Sequence, residues 1–191
     1  MEEYKLPINK FIGGWYIDKS ICDKLIDYFN LNKHQHVKGI TGKGYKTEDK
    51  DSTDLEIGPD RADVPFNLYR KSLQECLDLY CEKYNHLKGF KRFNIIDNYN
   101  LQYYKPHQGF KAWHSERQDL ISSKRMLVFM TYLNDVTKDG ETEFMYQKIK
   151  IKPEKGLTLI WPATWEYTHR GNICADQEKY IITGWYSYKD V

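Results

Sequence analysis

The N-terminal half of the chain contains two stretches in which apolar residues recur every three or four positions, the spacing of one face of an α-helix. The first covers residues 21–29 and follows two residues that can cap a helix, Asp18 and Ser20. The second covers residues 66–84 and follows Asp63-Val64-Pro65. Both patterns predict amphipathic helices, which end at the polar or glycine-containing segments that come next.

Residues 33–63, between the two predicted helices, show no such spacing. Glycine and proline punctuate a segment that is rich in Lys and Asp and has few large apolar side chains. This pattern predicts a long loop with a short strand at 53–57. Because long loops in compact domains are usually functional or mobile, we interpret residues 37–63 as a lid over a site.

From residue 93 onward, short strand-like segments alternate with turns rich in Gly, Pro, Asn and Asp. The predicted strands are 93–99, 100–104, 112–116, 125–133, 143–146, 148–152, 156–161, 166–170 and 180–188. Many short strands are typical of a sandwich or barrel, and helices that precede them indicate packing on one outer face. The sequence therefore predicts a mainly β single domain over residues 1–191, in which 1–92 form a helical support and loop and 93–191 form the core.

Composition narrows the class of protein further. The chain has 191 residues, of which 40% are hydrophobic, enough for one domain with its own core. Its net charge of +2, with acids and bases interspersed, makes a nucleic-acid partner unexpected. The four cysteines form no C-x-x-C pair, which argues against a cysteine-rich zinc site. No apolar run is long enough to cross a bilayer, and the start of the chain does not resemble a signal peptide, so a cytoplasmic location is expected.

Two histidines and a glutamate offer the most specific chemistry. His114 and Glu116 point the same way if their segment is extended, and His169 follows in a second strand-like segment. Two imidazoles and one carboxylate on one side of a metal are the arrangement of non-haem Fe(II) oxygenases. Ten residues later Lys179 begins an apolar run, and a buried lysine needs an anion such as a dicarboxylate. The alternatives are a surface ion pair between His114 and Glu116, and a solvated Lys179.

These residues belong to an ordered set of motifs that covers about half of the chain. The set comprises Leu101-Gln102-Tyr103-Tyr104-Lys105-Pro106, Trp113-His114-Ser115-Glu116, Tyr132-Leu133-Asn134, Gly140-Glu141-Thr142-Glu143-Phe144, Gly156, Trp161-Pro162, His169-Arg170-Gly171 and Lys179-Tyr180-Ile181-Ile182-Thr183-Gly184-Trp185. It resembles the Fe(II)/2-oxoglutarate-dependent dioxygenases, and within them the prolyl 4-hydroxylase-like branch. The resemblance implies a double-stranded β-helix, the cupin-like jelly roll, for the core. The N-terminal half carries no matching motif.

The resemblance also implies a metal centre. His114, Glu116 and His169 match the family's iron ligands and hence its catalytic centre. The family more often has aspartate at the position of Glu116, but a carboxylate is retained, and we expect Fe(II) to bind. On this basis Glu116→Ala should abolish turnover and Glu116→Asp should retain it.

The resemblance implies further contacts to the cosubstrate and the substrate. Lys179 matches the basic residue that holds the distal carboxylate of 2-oxoglutarate, and Tyr104, or Tyr103 in its place, matches a tyrosine that reaches the same group. Lower-ranked candidates are two hydroxyl donors to the cosubstrate and two substrate contacts, namely Thr142, Thr183, Arg170 and Trp185. An ion pair beside the metal centre is an equally good interpretation of Arg170.

The function implied is a hydroxylase that uses Fe(II), 2-oxoglutarate and O2 to oxidise an unactivated C–H bond and that produces succinate and CO2. A peptidyl proline is the leading substrate, which requires a groove open at both ends. An oxygenase of a free amino acid or other small molecule would have a closed pocket instead. A non-catalytic jelly-roll binding module is a further alternative. So is a nucleic-acid oxygenase, for which Lys38, Lys43, Lys46 and Lys50 would supply a local basic patch.

Overall fold

The computed structural model describes residues 1–6, 10–42 and 44–189. The helices are α1 (Lys19–Leu31) and α2 (Val64–Lys83), and single 3₁₀ turns lie at Lys33–Gln35, Asn85–Gly89, Ser122–Lys124 and Trp165–Tyr167. The strands are β1 (Gly13–Tyr16), β2 (Val37–Lys38), β3 (Lys50–Asp51), β4 (Thr53–Ile57), β5 (Phe93–Asn94), β6 (Tyr99–Tyr104), β7 (Gly109–Phe110), β8 (Arg125–Tyr132), β9 (Thr142–Phe144), β10 (Ile149–Ile151), β11 (Leu157–Pro162), β12 (His169–Gly171) and β13 (Lys179–Tyr188).

The strands form one large antiparallel sheet and two small ones. The large sheet has the order β1-β11-β8-β13-β6-β4-β2, with β5 paired to β13. A three-stranded sheet, β10-β9-β12, packs against one face of the large sheet, and α1 and α2 pack against the other face. A two-stranded sheet, β3-β7, completes the set. This is the jelly-roll architecture with both helices on one outer face, so the predicted fold class is confirmed.

Strand β8 shows why the central strands are apolar on both sides. Leu127 and Phe129 pack in the core beneath the helices, whereas Val128, Met130 and Tyr132 pack in the core between the two sheets. Side chains of a strand alternate between its two faces, so a strand that is covered on both faces needs apolar residues at consecutive positions. Six consecutive residues at the end of β8 are buried for this reason.

Both predicted helices form, with their apolar stripes turned towards the sheet. Helix α1 is capped by the side chain of Asp18, which accepts a hydrogen bond from the backbone N–H of Ser20 at 2.8 Å. Its buried face consists of Ile21, Cys22, Leu25 and Phe29. Among the described residues, no helix is both long enough and apolar enough to cross a membrane.

One predicted strand in the second half is wrong, and another forms only in part. Residues 112–116 form only a single bridge, between His114 and His169, because the N–H groups of Lys111 and Ala112 donate to the carbonyl of Asp49 instead of to a neighbouring strand. Residues 166–170 begin with the 3₁₀ turn, and only β12 is extended. The predicted strand boundary at residue 99 is also displaced, since β6 starts at that residue and only two residues of 93–98 are extended.

The predicted loop at 33–63 contains more sheet than its composition indicates. Strand β4 pairs with β6 along its whole length, β2 pairs with β4, and β3 pairs with β7. The segment 53–57 is therefore part of the large sheet, and a lid within 37–63 would not include it. Strands β1, β2 and β4 also place parts of 1–92 within the core sheet. Lys43 lies outside the described residues.

Candidate metal and cosubstrate site

The backbone bridge between His114 and His169 brings three possible metal ligands together. The two residues exchange N–H···O hydrogen bonds of 3.0 and 2.9 Å. Oε1 of Glu116 lies 3.4 Å from Nε2 of His114 and 3.6 Å from Nε2 of His169. One ligand atom from each residue lies within 4.8 Å of the others. In the described part of the chain, no other cluster of His, Cys, Asp and Glu has this geometry.

The outer nitrogens of both imidazoles are already occupied. Nδ1 of His114 lies 3.0 Å from the carbonyl oxygen of Ala112, and Nδ1 of His169 lies 2.9 Å from that of Tyr167. Each Nδ1–H therefore donates to the main chain, which leaves the lone pair of each Nε2 directed at the carboxylate of Glu116. Two lone pairs and a carboxylate oxygen that face one another fit a cation, and this donor set fits Fe(II).

Charge and burial give these side chains the protonation states that a metal requires. Burial and the neighbouring His114 lower the pKa of His169 to about 4, so this ring is neutral. Burial alone would raise the pKa of Glu116, but its interactions with His114, His169 and the indole N–H of Trp185 lower it to about 2. A neutral imidazole and an ionised carboxylate bind metal without first losing a proton.

Aromatic side chains fix the planes of both imidazoles. The ring of Phe110, on β7, stacks on His114 with centroids 3.7 Å apart and an interplanar angle of 7°. Phe144 and Trp161 pack against His169 with centroids 5.5 and 5.1 Å away. Sequence reasoning identified none of these three aromatic contacts, because the direction of each ring depends on the tertiary structure and not on the spacing of residues.

Lys179 is a buried cation without a carboxylate partner. Its side chain lies between the sheets with 3% of the residue exposed, and Nζ donates to the carbonyls of Gly140 at 2.9 Å and Asn172 at 3.0 Å. Burial lowers the pKa of Lys179 to about 8. Among the residues that the structure describes, no Asp or Glu forms an ion pair with it. An ammonium has three N–H donors, so one remains for an anion.

The structure brings Tyr104, and not Tyr103, to Lys179. The ring centroid of Tyr104 lies 5.1 Å from Nζ, and the buried hydroxyl of Tyr104 donates to Gln102 at 2.7 Å. Tyr103 instead stacks on Tyr180, on the helix side of the sheet. Alternation along β6 therefore separates the two tyrosines onto opposite faces of the sheet.

The two candidate threonines have different surroundings. Oγ1 of Thr142 accepts a hydrogen bond of 2.6 Å from Tyr132, whose hydroxyl is buried. Because Thr142 lies two residues beyond the Gly140 carbonyl that binds Lys179, this pair lies near the buried cation. Thr183 donates to the carbonyl of Phe129 at 2.9 Å, so its hydroxyl proton is used by the main chain. Tyr132 belongs to one of the matching motifs, but the sequence assigned it no role in the site.

Arg170 and Trp185 do not have the free positions expected of substrate contacts. Arg170 forms an ion pair with Glu143, with nitrogens 2.8 and 3.0 Å from Oε2, and stacks over the ring of Trp113. The indole N–H of Trp185 donates to Oε2 of Glu116 at 2.8 Å. Trp185 thus contacts the candidate metal ligand itself.

One lysine of the predicted basic patch, Lys50, is buried and paired with a carboxylate. Nζ of Lys50 lies 2.7 Å from Asp54, with both side chains buried, and Ser52 donates to the same carboxylate. Lys50 therefore contributes little positive charge to the surface that Lys38 and Lys46 would share. This weakens the nucleic-acid interpretation.

Comparison with known proteins agrees with this geometry. Residues 96–187 match the model of the 2OG-Fe(II) oxygenase superfamily, a range that includes His114, Glu116, His169 and Lys179. This part of the chain is a 2OG-Fe(II) oxygenase domain. A domain of this family is a dioxygenase that uses Fe(II), 2-oxoglutarate and O2, and the cluster of His114, Glu116 and His169 offers a site for the iron. A search of curated proteins finds no match.

Several solved structures share the fold over nearly the whole oxygenase. A Pseudomonas putida prolyl-4-hydroxylase has a TM-score of 0.72 at 14% identity, covering 95% of each chain. A viral collagen prolyl hydroxylase from Paramecium Bursaria Chlorella virus-1, solved with 2-oxoglutarate, has a TM-score of 0.70 at 22% identity and covers 95% of this chain and 98% of its own. A Trichoplax adhaerens prolyl hydroxylase, in complex with a hypoxia inducible factor peptide, has a TM-score of 0.74 at 17% identity and covers 94% and 84%.

Proposed function

We propose that this oxygenase hydroxylates a prolyl residue in a polypeptide and that His114, Glu116 and His169 hold its iron. The observation that carries the proposal is the convergence of these three side chains in one jelly roll with the unpaired, buried cation Lys179. The solved structures with the same fold are named as prolyl hydroxylases, which favours proline as the target.

Each ligand side chain has a defined task in this proposal. The Nδ1–H bonds to Ala112 and Tyr167 hold the two imidazoles in the tautomer that presents Nε2, and Glu116 supplies the negative charge. When bound, Fe(II) with 2-oxoglutarate and O2 supplies the oxidation of an unactivated C–H bond, with succinate and CO2 as by-products. The aromatic rings packed against both imidazoles restrict their rotation and keep Nε2 directed at the metal position.

Lys179 binds the distal carboxylate of 2-oxoglutarate in this proposal. The remaining N–H of its ammonium donates to the anion, while the bonds to Gly140 and Asn172 keep Nζ in place. Tyr104 forms the apolar wall beside Nζ, and the Tyr132–Thr142 hydroxyl pair lies on the same interior face. A keto acid without a second carboxylate would leave Lys179 unpaired, so the pocket selects a dicarboxylate.

A partly open cavity also lies at the surface of the oxygenase. The cavity has a volume of about 680 Å³ and is lined by Arg117, Thr164 and Pro162. It continues to aromatic residues near the end of α2, among them Tyr80. None of the three candidate metal ligands lines this cavity, and Met126 and Leu127, which do line it, pack on the helix side of the sheet, so we assign it no part in substrate binding.

Turnover with two matched substrates tests the proposal. The Fe(II)-loaded protein is incubated with 2-oxoglutarate and either a Pro-Pro-Gly repeat peptide or free L-proline, and succinate and the mass of the substrate are followed. We expect the peptide to gain one oxygen, in step with succinate, and free proline to remain unchanged. His169→Ala should remove both signals. Oxidation of free proline alone would favour the small-molecule alternative.

We also propose a reducing compartment such as the cytoplasm. All four cysteines are free thiols, and Cys22 and Cys76 are buried in the core beneath the helices. Burial raises the pKa of both thiols to about 12, which makes them unreactive. Measurement of four titratable thiols in the denatured, unreduced protein would support this assignment.

A further inference from the structure

Glu116 uses its two carboxylate oxygens for different purposes. Oε1 is the oxygen that lies within 3.4 and 3.6 Å of the two Nε2 atoms. Oε2 accepts the indole N–H of Trp185 at 2.8 Å and lies 3.8 Å from a guanidinium nitrogen of Arg125. The same guanidinium group donates to the backbone carbonyl of Glu116 at 2.9 Å. Arg125 thus holds the main chain of Glu116, and Trp185 holds its carboxylate.

Trp185 and Arg125 also hold each other in place. The guanidinium carbon of Arg125 lies 3.5 Å from the centroid of the Trp185 ring, a cation–π contact on neighbouring strands. The indole of Trp185 is therefore held at two places: Arg125 packs on its ring, and Glu116 accepts its N–H. An indole held in this way directs its N–H at a fixed point in space.

A β-bulge in β8 directs the side chain of Arg125 towards Trp185. The pairing of β8 with β13 is regular up to Leu127 opposite Tyr186, but Ser187 pairs with Arg125, which leaves Met126 as an extra residue. Leu127 and Met126 both pack on the helix side of the sheet, so Arg125 turns to the interior side, where Trp185 lies. In a regular strand, Arg125 would share the helix side with Leu127. Bulges that redirect a side chain in this way are common beside active sites.

Given the proposed iron site, we propose that Trp185 and Arg125 are positioning residues. They make glutamate, rather than aspartate, the carboxylate that this centre requires. Aspartate is shorter by one methylene, about 1.5 Å of chain. With the backbone held by Arg125, an aspartate could not keep one oxygen beside both histidines and the other on the Trp185 N–H. The loss of either contact weakens the site, and this revises the expectation that Glu116→Asp is tolerated.

Metal affinity measured without turnover tests the proposal. Mn(II) is titrated by calorimetry into the anaerobic wild-type protein, Trp185→Phe, Glu116→Asp and the double variant. Removing an outer partner of a metal ligand typically weakens binding about 10–100-fold. We expect a loss of about tenfold for Trp185→Phe, which keeps the ring but not the N–H, and of about 10–100-fold for Glu116→Asp. The double variant should be no weaker than Glu116→Asp, because the N–H has then already lost its acceptor.

The controls separate this proposal from the function on which it rests. Trp165→Phe removes an indole that is 63% exposed and should leave Mn(II) affinity unchanged. If the wild type binds Mn(II) only when His169 is present, but Trp185→Phe and Glu116→Asp bind equally well, the positioning role is overturned and the metal site stands. If the wild type binds no Mn(II), the proposed function itself is overturned.

A spectroscopic measurement covers the case in which Trp185→Phe does not fold. The indole N–H of Trp185 in ¹⁵N-labelled protein should exchange slowly with solvent and shift when Glu116 is replaced by aspartate. An indole resonance that is unchanged in Glu116→Asp would overturn the proposal, because a merely structural Trp185 would not sense that substitution.

Discussion

In the proposed site, replacing Lys179 by methionine removes the cation that binds the distal carboxylate of 2-oxoglutarate. Methionine has a similar length and fills the same apolar space, so the substitution chiefly removes charge and hydrogen-bond donors. The residue is 3% exposed, which means that solvent cannot enter to replace the lost contact. The binding pocket would then hold a buried carboxylate without a partner.

The magnitude follows from the geometry of the ammonium. Two of its three donors bind Gly140 and Asn172, so one charge-assisted hydrogen bond to the ligand is lost. Removing one partner of a buried charge pair costs about 2–5 kcal/mol. A central value of about 3 kcal/mol corresponds to a rise in Kd on the order of 100-fold.

Calorimetric titration of 2-oxoglutarate into the Mn(II)-loaded protein measures this effect in the absence of turnover. Lys150→Met serves as the matched control, because the side chain of Lys150 is 56% exposed and its Nζ lies 3.6 Å from Glu143. The affinity of this variant for 2-oxoglutarate should not change. Lys179→Arg retains the charge and should bind with intermediate affinity. A Kd within about threefold of wild type for a folded Lys179→Met would refute the reasoning, since a change of 0.6 kcal/mol is too small for a buried pair.

Two further predictions concern buried charges. Because burial lowers the pKa of Lys179 to about 8, the ammonium that binds the anion is present below that pH. The Kd for 2-oxoglutarate should therefore rise as pH increases above about 8, by up to tenfold per unit, and a Kd that is flat from pH 7 to 10 would contradict this. Asp54→Ala should lower the free energy of unfolding, measured in urea, by about 3–5 kcal/mol, because it leaves Lys50 buried and unpaired. The double variant Lys50→Met/Asp54→Leu should recover most of this loss. Equal losses in the single and double variants would show that the ion pair is not the cause.

The sequence alone was sufficient for those features that depend on neighbouring residues. The spacing of Ile21, Leu25 and Phe29 reports one buried helical face, and Asp18 provides the cap that begins the helix. The order of the apolar segments after residue 93 was enough to predict a mainly β core. The spacing of His114 and Glu116, with His169 in a later segment, indicated the ligand set that the tertiary structure brings together.

Only the tertiary structure decided the features that join distant segments. Strand register and the bulge at Met126 decide whether Lys179 has a partner, which of Tyr103 and Tyr104 faces it, and that Trp185 bonds to Glu116. Periodicity reports which side of an element is buried, but it carries no information on which residue lies opposite, because register is set by hydrogen bonds between strands that are far apart in the chain. For the same reason, residues 112–116 have a strand-like composition but make their backbone hydrogen bonds to Asp49 and His169.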